Sequence, residues 1–359
     1  MESESATRFE SPIPLFSQPR GMPPVSAEEH ASWLERAPHK RLMLFSGRSN
    51  PELADRIARQ LGVELGHVML KTFTNSEVYA RYEESVRGAD VFIVQSCSAP
   101  TNDALWELLI MVNAAQLASA KRITAVMPWY PYVRQDKKSA PREPITAKLV
   151  ANVLEAAGVD RVLTMDLHAG QVQGFFSKPV DHMTAVPLLA DHFKLQLQET
   201  DPADIVVVAG DAGRTKLAKK FSEMLGASLA IISKERPEQQ VAVVTEVIGR
   251  VRGKVCVVID DMIDTAGTLC AGGEALVGGG ATEVYACATH GVFSGPALDR
   301  LRDSVFKQVV VTDTVPVNAV EQPPNVQVLS VAPILADTIS SVFNDDSVSE
   351  LFHGGNQLF

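Results

Sequence analysis

The stretch Val257-Val258-Ile259-Asp260-Asp261-Met262-Ile263-Asp264-Thr265-Ala266-Gly267-Thr268 sets two adjacent carboxylates after an apolar run, then small and hydroxylated residues. The run reads as a buried parallel strand ending at Asp260 and Asp261, with a turn and a helix from Leu269 onward. Backbone N–H groups of Asp264, Thr265, Ala266, Gly267 and Thr268, with both threonine hydroxyls, can wrap a terminal phosphate at that helix N-terminus, where the dipole favours an anion. Asp260 and Asp261 can accept hydrogen bonds from vicinal sugar hydroxyls or hold a metal through oxygen. This combination suits a sugar phosphate.

Two cationic segments offer complementary chemistry. Arg134, Gln135, Asp136, Lys137 and Lys138 follow an apolar strand and the turn-like PWYPYV, which places them at a strand's carboxyl end, where open α/β sheets bind ligands. Taken alone such a basic run reads as a solvated loop, although the planar fork of Arg134 suits a triphosphate. Lys234 and Arg236 lie in KERPEQQ, after the strand Leu229–Ile232, with no apolar period to fix the segment down. Taken alone it reads as a solvated charged loop; as a mobile lid its two cations would stabilise charge on transferring phosphates.

The elements that position these residues alternate short apolar runs with helix-length segments from Arg41 onward, the pattern of an α/β protein with a mainly parallel sheet. The pattern occurs twice. LMLF at Leu42–Phe45 and IVVVA at Ile205–Ala209 each open a strand–loop–helix unit whose helix stops at Leu-Gly, at Gly62 and Gly226. Val91–Gln95 keeps step with Val255–Ile259, Ile123–Met127 with Val284–Ala288, and Asp160–Asp166 with Lys307–Asp313. A duplicated α/β domain follows: an N-terminal extension over 1–40, halves at 41–187 and 188–331, and a helix and tail over 332–359 packing back on the first half. Within the extension, Ser26 and Glu29 have capping-box spacing and predict a short helix over 27–36.

With 359 residues, 46% hydrophobic and 21% charged, the chain can bury a core, and its net charge of −10 supplies no basic field for nucleic acid. The four cysteines, Cys97, Cys256, Cys270 and Cys287, form no CxxC pair, and Cys256 and Cys287 sit in apolar runs, as expected of core thiols in a reducing compartment. No apolar run is long enough to span a membrane, and the N-terminus resembles no secretion signal. The expected location is the cytoplasm.

The strand and loop around Asp260–Thr268 resemble the phosphoribosyl-diphosphate fingerprint of the phosphoribosyltransferase fold. The neighbouring motifs are similar to the ribose-phosphate diphosphokinase (phosphoribosyl pyrophosphate synthetase) family: SGRSNPELA, EESVRG, RQDKK, PITAKLVAN, TMDLHAGQVQGFF, KERP, VIDDMIDTAGTL and ATHGVFSGPA, from about Arg41 to Phe352. The resemblance implies two phosphoribosyltransferase-like domains and transfer of the diphosphoryl group of ATP to the anomeric hydroxyl of ribose 5-phosphate, feeding nucleotide biosynthesis. It implies ATP binding by Phe73, Asn75, Glu77, Arg134, Gln135, Asp136 and His168, with Phe73 as the stacking face for adenine. Ribose 5-phosphate binding falls to Asp211, Asp260, Asp261, Asp264, Thr265, Ala266, Gly267 and Thr268. Lys234 and Arg236 become the catalytic cations, and Asp166, His168, Asp181 and Asp211 ligands of Mg2+. Homohexamers built from dimers, and a regulatory site for phosphate and ADP at Ser85, Arg87, Ser119 and Gln173, are implied in the same way.

Retention of Lys234, Arg236, Arg134 and His168 favours the enzyme over a non-catalytic regulatory relative. Two domains favour it over a phosphoribosyltransferase or a sensor of the product. The chain departs from the family pattern at Ser139 and Ser177, where acids are common, and at Arg214, which replaces the second glycine of a D-x-G-G turn. Arg214 is expected to crowd the phosphate end of the site and to lose glycine's freedom at positive φ. Gly170 and His182 replace a serine and an asparagine of the regulatory site, which predicts weak phosphate activation and ADP acting mainly as a competitor of ATP.

Overall fold

The computed structural model describes residues 40–235 and 243–348. The extension before Lys40, with its expected helix, Arg236 and the end of the tail lie outside the described residues.

In the first half, β1 (Leu42–Ser46), β4 (Asp90–Val94), β5 (Arg122–Met127), β6 (Arg161–Met165) and β7 (Val180–Met183) form a parallel sheet in that spatial order, and β2 (Val68–Thr72) pairs with β3 (Val78–Tyr82) as a separate hairpin. Helices α1 (Pro51–Leu61), α2 (Thr101–Leu117) and α3 (Thr146–Ala157) connect the strands. Helix α4 (Val186–Gln196) leads into the second half. There β8 (Ile205–Ala209), β11 (Val255–Ile263), β12 (Glu283–Gly291), β13 (Gln308–Thr312) and β14 (Val326–Leu329) repeat the same order in parallel, with β9 (Ser228–Glu235) beside β8 and β10 (Val243–Ile248) antiparallel at the edge. Helices α5 (Thr215–Leu225), α6 (Gly267–Gly278) and α7 (Ala297–Arg302) connect these strands, and α8 (Ala332–Asn344) closes the described chain.

Strands such as DVFIV and IVVVA are buried along their whole length because helices cover both faces of each sheet, which is why they are continuously apolar. Helix α1 starts at an Asn50 cap with Pro51 in its first turn and stops at Gly62, whose φ of 67° is the left-handed conformation that glycine adopts without strain. Gly226 ends α5 in the same way at 65°. Leu335, Ala336 and Ile339 of α8 share one core with Leu53 and Ile57 of α1 and Leu44 of β1, so the chain's last described helix is built into the first sheet's covering layer.

Polar bonds join the carboxyl ends of the two sheets. Thr289 Oγ1 donates to Asp166 Oδ2 at 2.6 Å, His290 Nε2 lies 3.1 Å from the carbonyls of Met165 and Asp166, and Asn50 Nδ2 donates to the Asp313 carbonyl at 2.8 Å. His290 is buried, with its ring edge-on to Trp129 at 4.8 Å, and burial pushes its basicity below the usual imidazole value.

Two expectations need correction. Strand β11 does not stop at Asp260 and Asp261: it continues to Ile263 because β12 still runs beside it, pairing Met262 with His290 and Ile263 with Gly291. Lys234 does not follow its strand but lies within β9, its backbone paired with Val244 of β10.

Candidate active site

The ends of β5, β6, β8 and β11 converge on a cavity of about 230 Å³. Arg134, His168, Asp211, Asp260, Asp261 and the Asp264–Thr268 turn all line it, so residues far apart in the chain meet in one place. The turn opens into α6 through Ala266, which holds a left-handed φ of 59° without being glycine, a conformation that costs on the order of 1 kcal/mol and marks a shape the surroundings impose. No side chain caps the helix, so its first amides face the cavity as an anion nest. Arg300 Nη1 donates to the Thr265 carbonyl at 2.9 Å and lies 3.2 Å from where a Cβ on Gly267 would stand, so it braces the turn from behind.

One wall belongs to Arg214. Its Nε lies 3.1 Å from Asp260 Oδ1 and its Nη2 2.9 Å from Asp261 Oδ1, while Nη1 donates to the His168 carbonyl at 3.2 Å. His168 Nδ1 stands 2.8 Å from Asp261 Oδ2 and 2.5 Å from Arg214 Nη2, so the ring sits between a carboxylate and a guanidinium. Burial works against charge on Asp261, but hydrogen bonds from His168 and Asp260 and the Arg214 charge outweigh it and hold its carboxyl well below the usual range. Asp260 moves the other way: desolvation and its charged neighbour Asp261 raise it. The two titrate as a pair, with the negative charge concentrated on Asp261.

The expected strain at Arg214 is absent. Its φ is −97°, which any residue adopts, and its side chain turns onto the two carboxylates instead of filling the phosphate nest. Its amide donates to Asp211 Oδ1 at 3.1 Å, so Asp211 caps the turn that leads into α5.

From the first half, Arg134 Nη1 reaches Asp264 Oδ2 at 2.7 Å and spans the cavity mouth. Beside it, Gln135 Oε1 accepts from Thr146 Oγ1 at 2.6 Å, and buried Asp136 accepts from Gln171. Neither lines the cavity. Phe73, Asn75 and Glu77 sit at the tip of the β2–β3 hairpin, where Phe73 donates its amide to the Glu77 carbonyl at 2.8 Å and stays 42% exposed. They do not line the cavity either.

Asp166 is buried with Oδ1 unpartnered and borders a separate cavity of about 80 Å³ behind Arg214. Asp181 is engaged by Arg161 Nη1 at 2.7 and 2.9 Å, away from the main cavity. Among the described residues, no three acids, histidines or cysteines gather tightly enough to enclose a metal alone. Ser177 donates its hydroxyl to Glu155 at 3.0 Å. Ser85, Arg87 and Ser119 are exposed, with the Gly88 amide bonded to the Ser119 carbonyl, whereas Gln173 contacts the Gly170 carbonyl at 3.1 Å. His182, which stands in place of the asparagine, is buried and accepts the Leu167 amide at Nε2, and burial lowers its basicity.

Sequence reasoning missed Arg300, Thr289 and His290 as supports of the site. Only their place in ATHGVFSGPA and ALDR marks them, and no spacing reveals which strand end they meet.

Two family models match the chain, the N-terminal domain of ribose phosphate pyrophosphokinase over residues 42–158 and the phosphoribosyl synthetase-associated domain over 239–353. A ribose-phosphate pyrophosphokinase of Fusobacterium nucleatum is 51% identical over 86% of this chain and 98% of its own length. One of Corynebacterium efficiens is 49% identical over 90% and 99%. The crystal structure of phosphoribosylpyrophosphate synthetase from Mycobacterium smegmatis superposes with a TM-score of 0.80 at 46% identity, covering 85% of this chain and all of that one. With duplicated parallel sheets, an anion nest and carboxylates at one shared edge, the chain belongs to the ribose-phosphate pyrophosphokinase family.

Proposed function

We propose that this cavity binds ribose 5-phosphate and ATP and moves the β,γ-diphosphoryl group of ATP to the sugar. The observation that carries the reading is the uncapped nest of Asp264–Thr268 beside Asp260 and Asp261, with Arg134 reaching across from the other half. The sugar's phosphate takes the nest, with the Thr265 and Thr268 hydroxyls completing it, and Asp260 and Asp261 face its vicinal hydroxyls. The anomeric oxygen then attacks the β-phosphorus, the bond from that phosphorus to the α,β-bridging oxygen breaks, and AMP leaves with the bridging oxygen while the hydroxyl proton departs to solvent. The 41–187 half supplies the ATP side through Arg134, Gln135, Asp136 and His168, and the 188–331 half holds the sugar. Lys234 and Arg236 bring positive charge to the transferring phosphates.

The carboxylate of Asp211 on the cavity wall, with His168 beside it, is too small a set to cage an ion and fits Mg2+, which prefers one or two carboxylates plus substrate phosphates. Asp211 and His168 would hold it on the triphosphate, where it neutralises charge on the transferring oxygens. Because Phe73, Asn75 and Glu77 do not line this cavity in one chain, an adenine pocket formed by them calls for an assembly of chains, which light scattering on the purified protein measures. The test of the reaction is AMP formation from ATP. It should require both ribose 5-phosphate and Mg2+, and AMP at background level with both present would refute the reading.

A further inference from the structure

Arg214 touches Asp260, Asp261, His168 and Asp211, four of the groups on the sugar side of the cavity. Its guanidinium spans Asp260 and Asp261, its Nη2 lies 2.5 Å from His168 Nδ1, its Nη1 bonds the His168 carbonyl, and its amide is bonded to Asp211. The side chain is 16% exposed, so this charge is largely withdrawn from water and screened little by salt. Adjacent carboxylates on a phosphate-binding turn repel an incoming phosphate ester, and a resident cation between them removes that repulsion. A guanidinium suits the task because its planar fork serves two acceptors at fixed angles, whereas an ammonium is a single point charge.

We propose that Arg214 is a built-in counter-cation for the Asp260–Asp261 pair, positioning both carboxylates and His168 so that ribose 5-phosphate binds this chain without a divalent metal. The inference rests on the ribose 5-phosphate reading of the cavity. It makes the metal a requirement of the ATP side alone and gives Arg214 a binding role. It is a positioning residue: it acts on the sugar through the groups it holds.

Calorimetric titration of the full chain with ribose 5-phosphate, once in EDTA and once in Mg2+, tests this directly. The unaltered protein should bind in both buffers, with dissociation constants within about threefold. In EDTA, Arg214→Gln should bind at least about tenfold more weakly, as expected for loss of a charge-assisted contact. Mg2+ should restore most of that loss, and Arg214→Lys should fall between the two. A structural defect alone would weaken binding equally in both buffers and would overturn the proposal. So would an unaltered protein that binds only with Mg2+, a result that needs no variant to fold. Tighter binding by Arg214→Gln in EDTA would show that Arg214 plugs the site, again overturning the proposal. No binding by the unaltered protein in either buffer would overturn the inference, while AMP formation that depends on ribose 5-phosphate separately decides the reading on which it rests.

Discussion

At the scale of single residues, burial separates ion pairs that stabilise the protein from those that serve ligands. Asp261 and Arg214 are 6% and 16% exposed at their side chains, so Asp261→Asn removes one of the guanidinium's two carboxylate partners and leaves only Asp260; denaturant unfolding should show a loss of about 2 kcal/mol. Arg134 and Asp264 are 59% and 33% exposed, and breaking their pair with Arg134→Gln should change stability by no more than about 0.5 kcal/mol while raising the KM for ATP. The thiols divide in the same way. Burial pushes Cys256 up to about 12, and Cys97 and Cys287 further, while half-buried Cys270 is raised less. A thiol reagent at neutral pH should therefore modify at most Cys270 in the native protein and all four after unfolding. Prompt modification of two or more in the folded protein would contradict this packing.

At the scale of elements, what is legible in the sequence is whatever the local chain decides. Continuous apolar runs reveal β4, β8, β11 and β13, and the Asn50-Pro51 start and Gly62 stop reveal α1, because each signal lies within the element it marks. The far ends of β9 and β11 were not legible, since Lys234 and Ile263 are strand residues only through pairing with β10 and β12. The anion nest was legible because its residues are consecutive. Its Arg300 brace was not, as that contact depends on how α7 lies beside α6. Arg300→Ala frees the Thr265 carbonyl and should raise the KM for ribose 5-phosphate roughly fivefold, the equivalent of one hydrogen bond, with kcat little changed. Phe73 at the hairpin tip is half-exposed and contacts Tyr79 edge-on at 6.0 Å, so Phe73→Ala should leave thermal stability almost unaltered. If it serves adenine, the same change raises the KM for ATP; an unchanged KM would remove it from the nucleotide site.

At the scale of the whole molecule, two sheets of the same strand order meet at their carboxyl ends, and the seam between them carries His290, with His182 in the strand behind it. Burial lowers the basicity of both rings, so each binds a proton more readily in the unfolded chain than in the folded one. Stability is therefore fully present above the unfolded histidine value near 6.5 and is lost as pH falls below it, by up to about 1.4 kcal/mol per pH unit for each ring. Chemical denaturation between pH 7 and 5 should show that decline, and His290→Gln should flatten it. Among the described residues no helix is long and apolar enough to cross a membrane, and a net charge of −10 leaves the cavity's local cations as the means of holding phosphates. The central claim is that the joined sheet ends transfer a diphosphoryl group intact from ATP to ribose 5-phosphate. Phosphorus NMR of the reaction mixture follows this most directly: it should show AMP and a sugar-linked diphosphate appearing in equal amounts, whereas ADP or free orthophosphate without AMP would contradict the account.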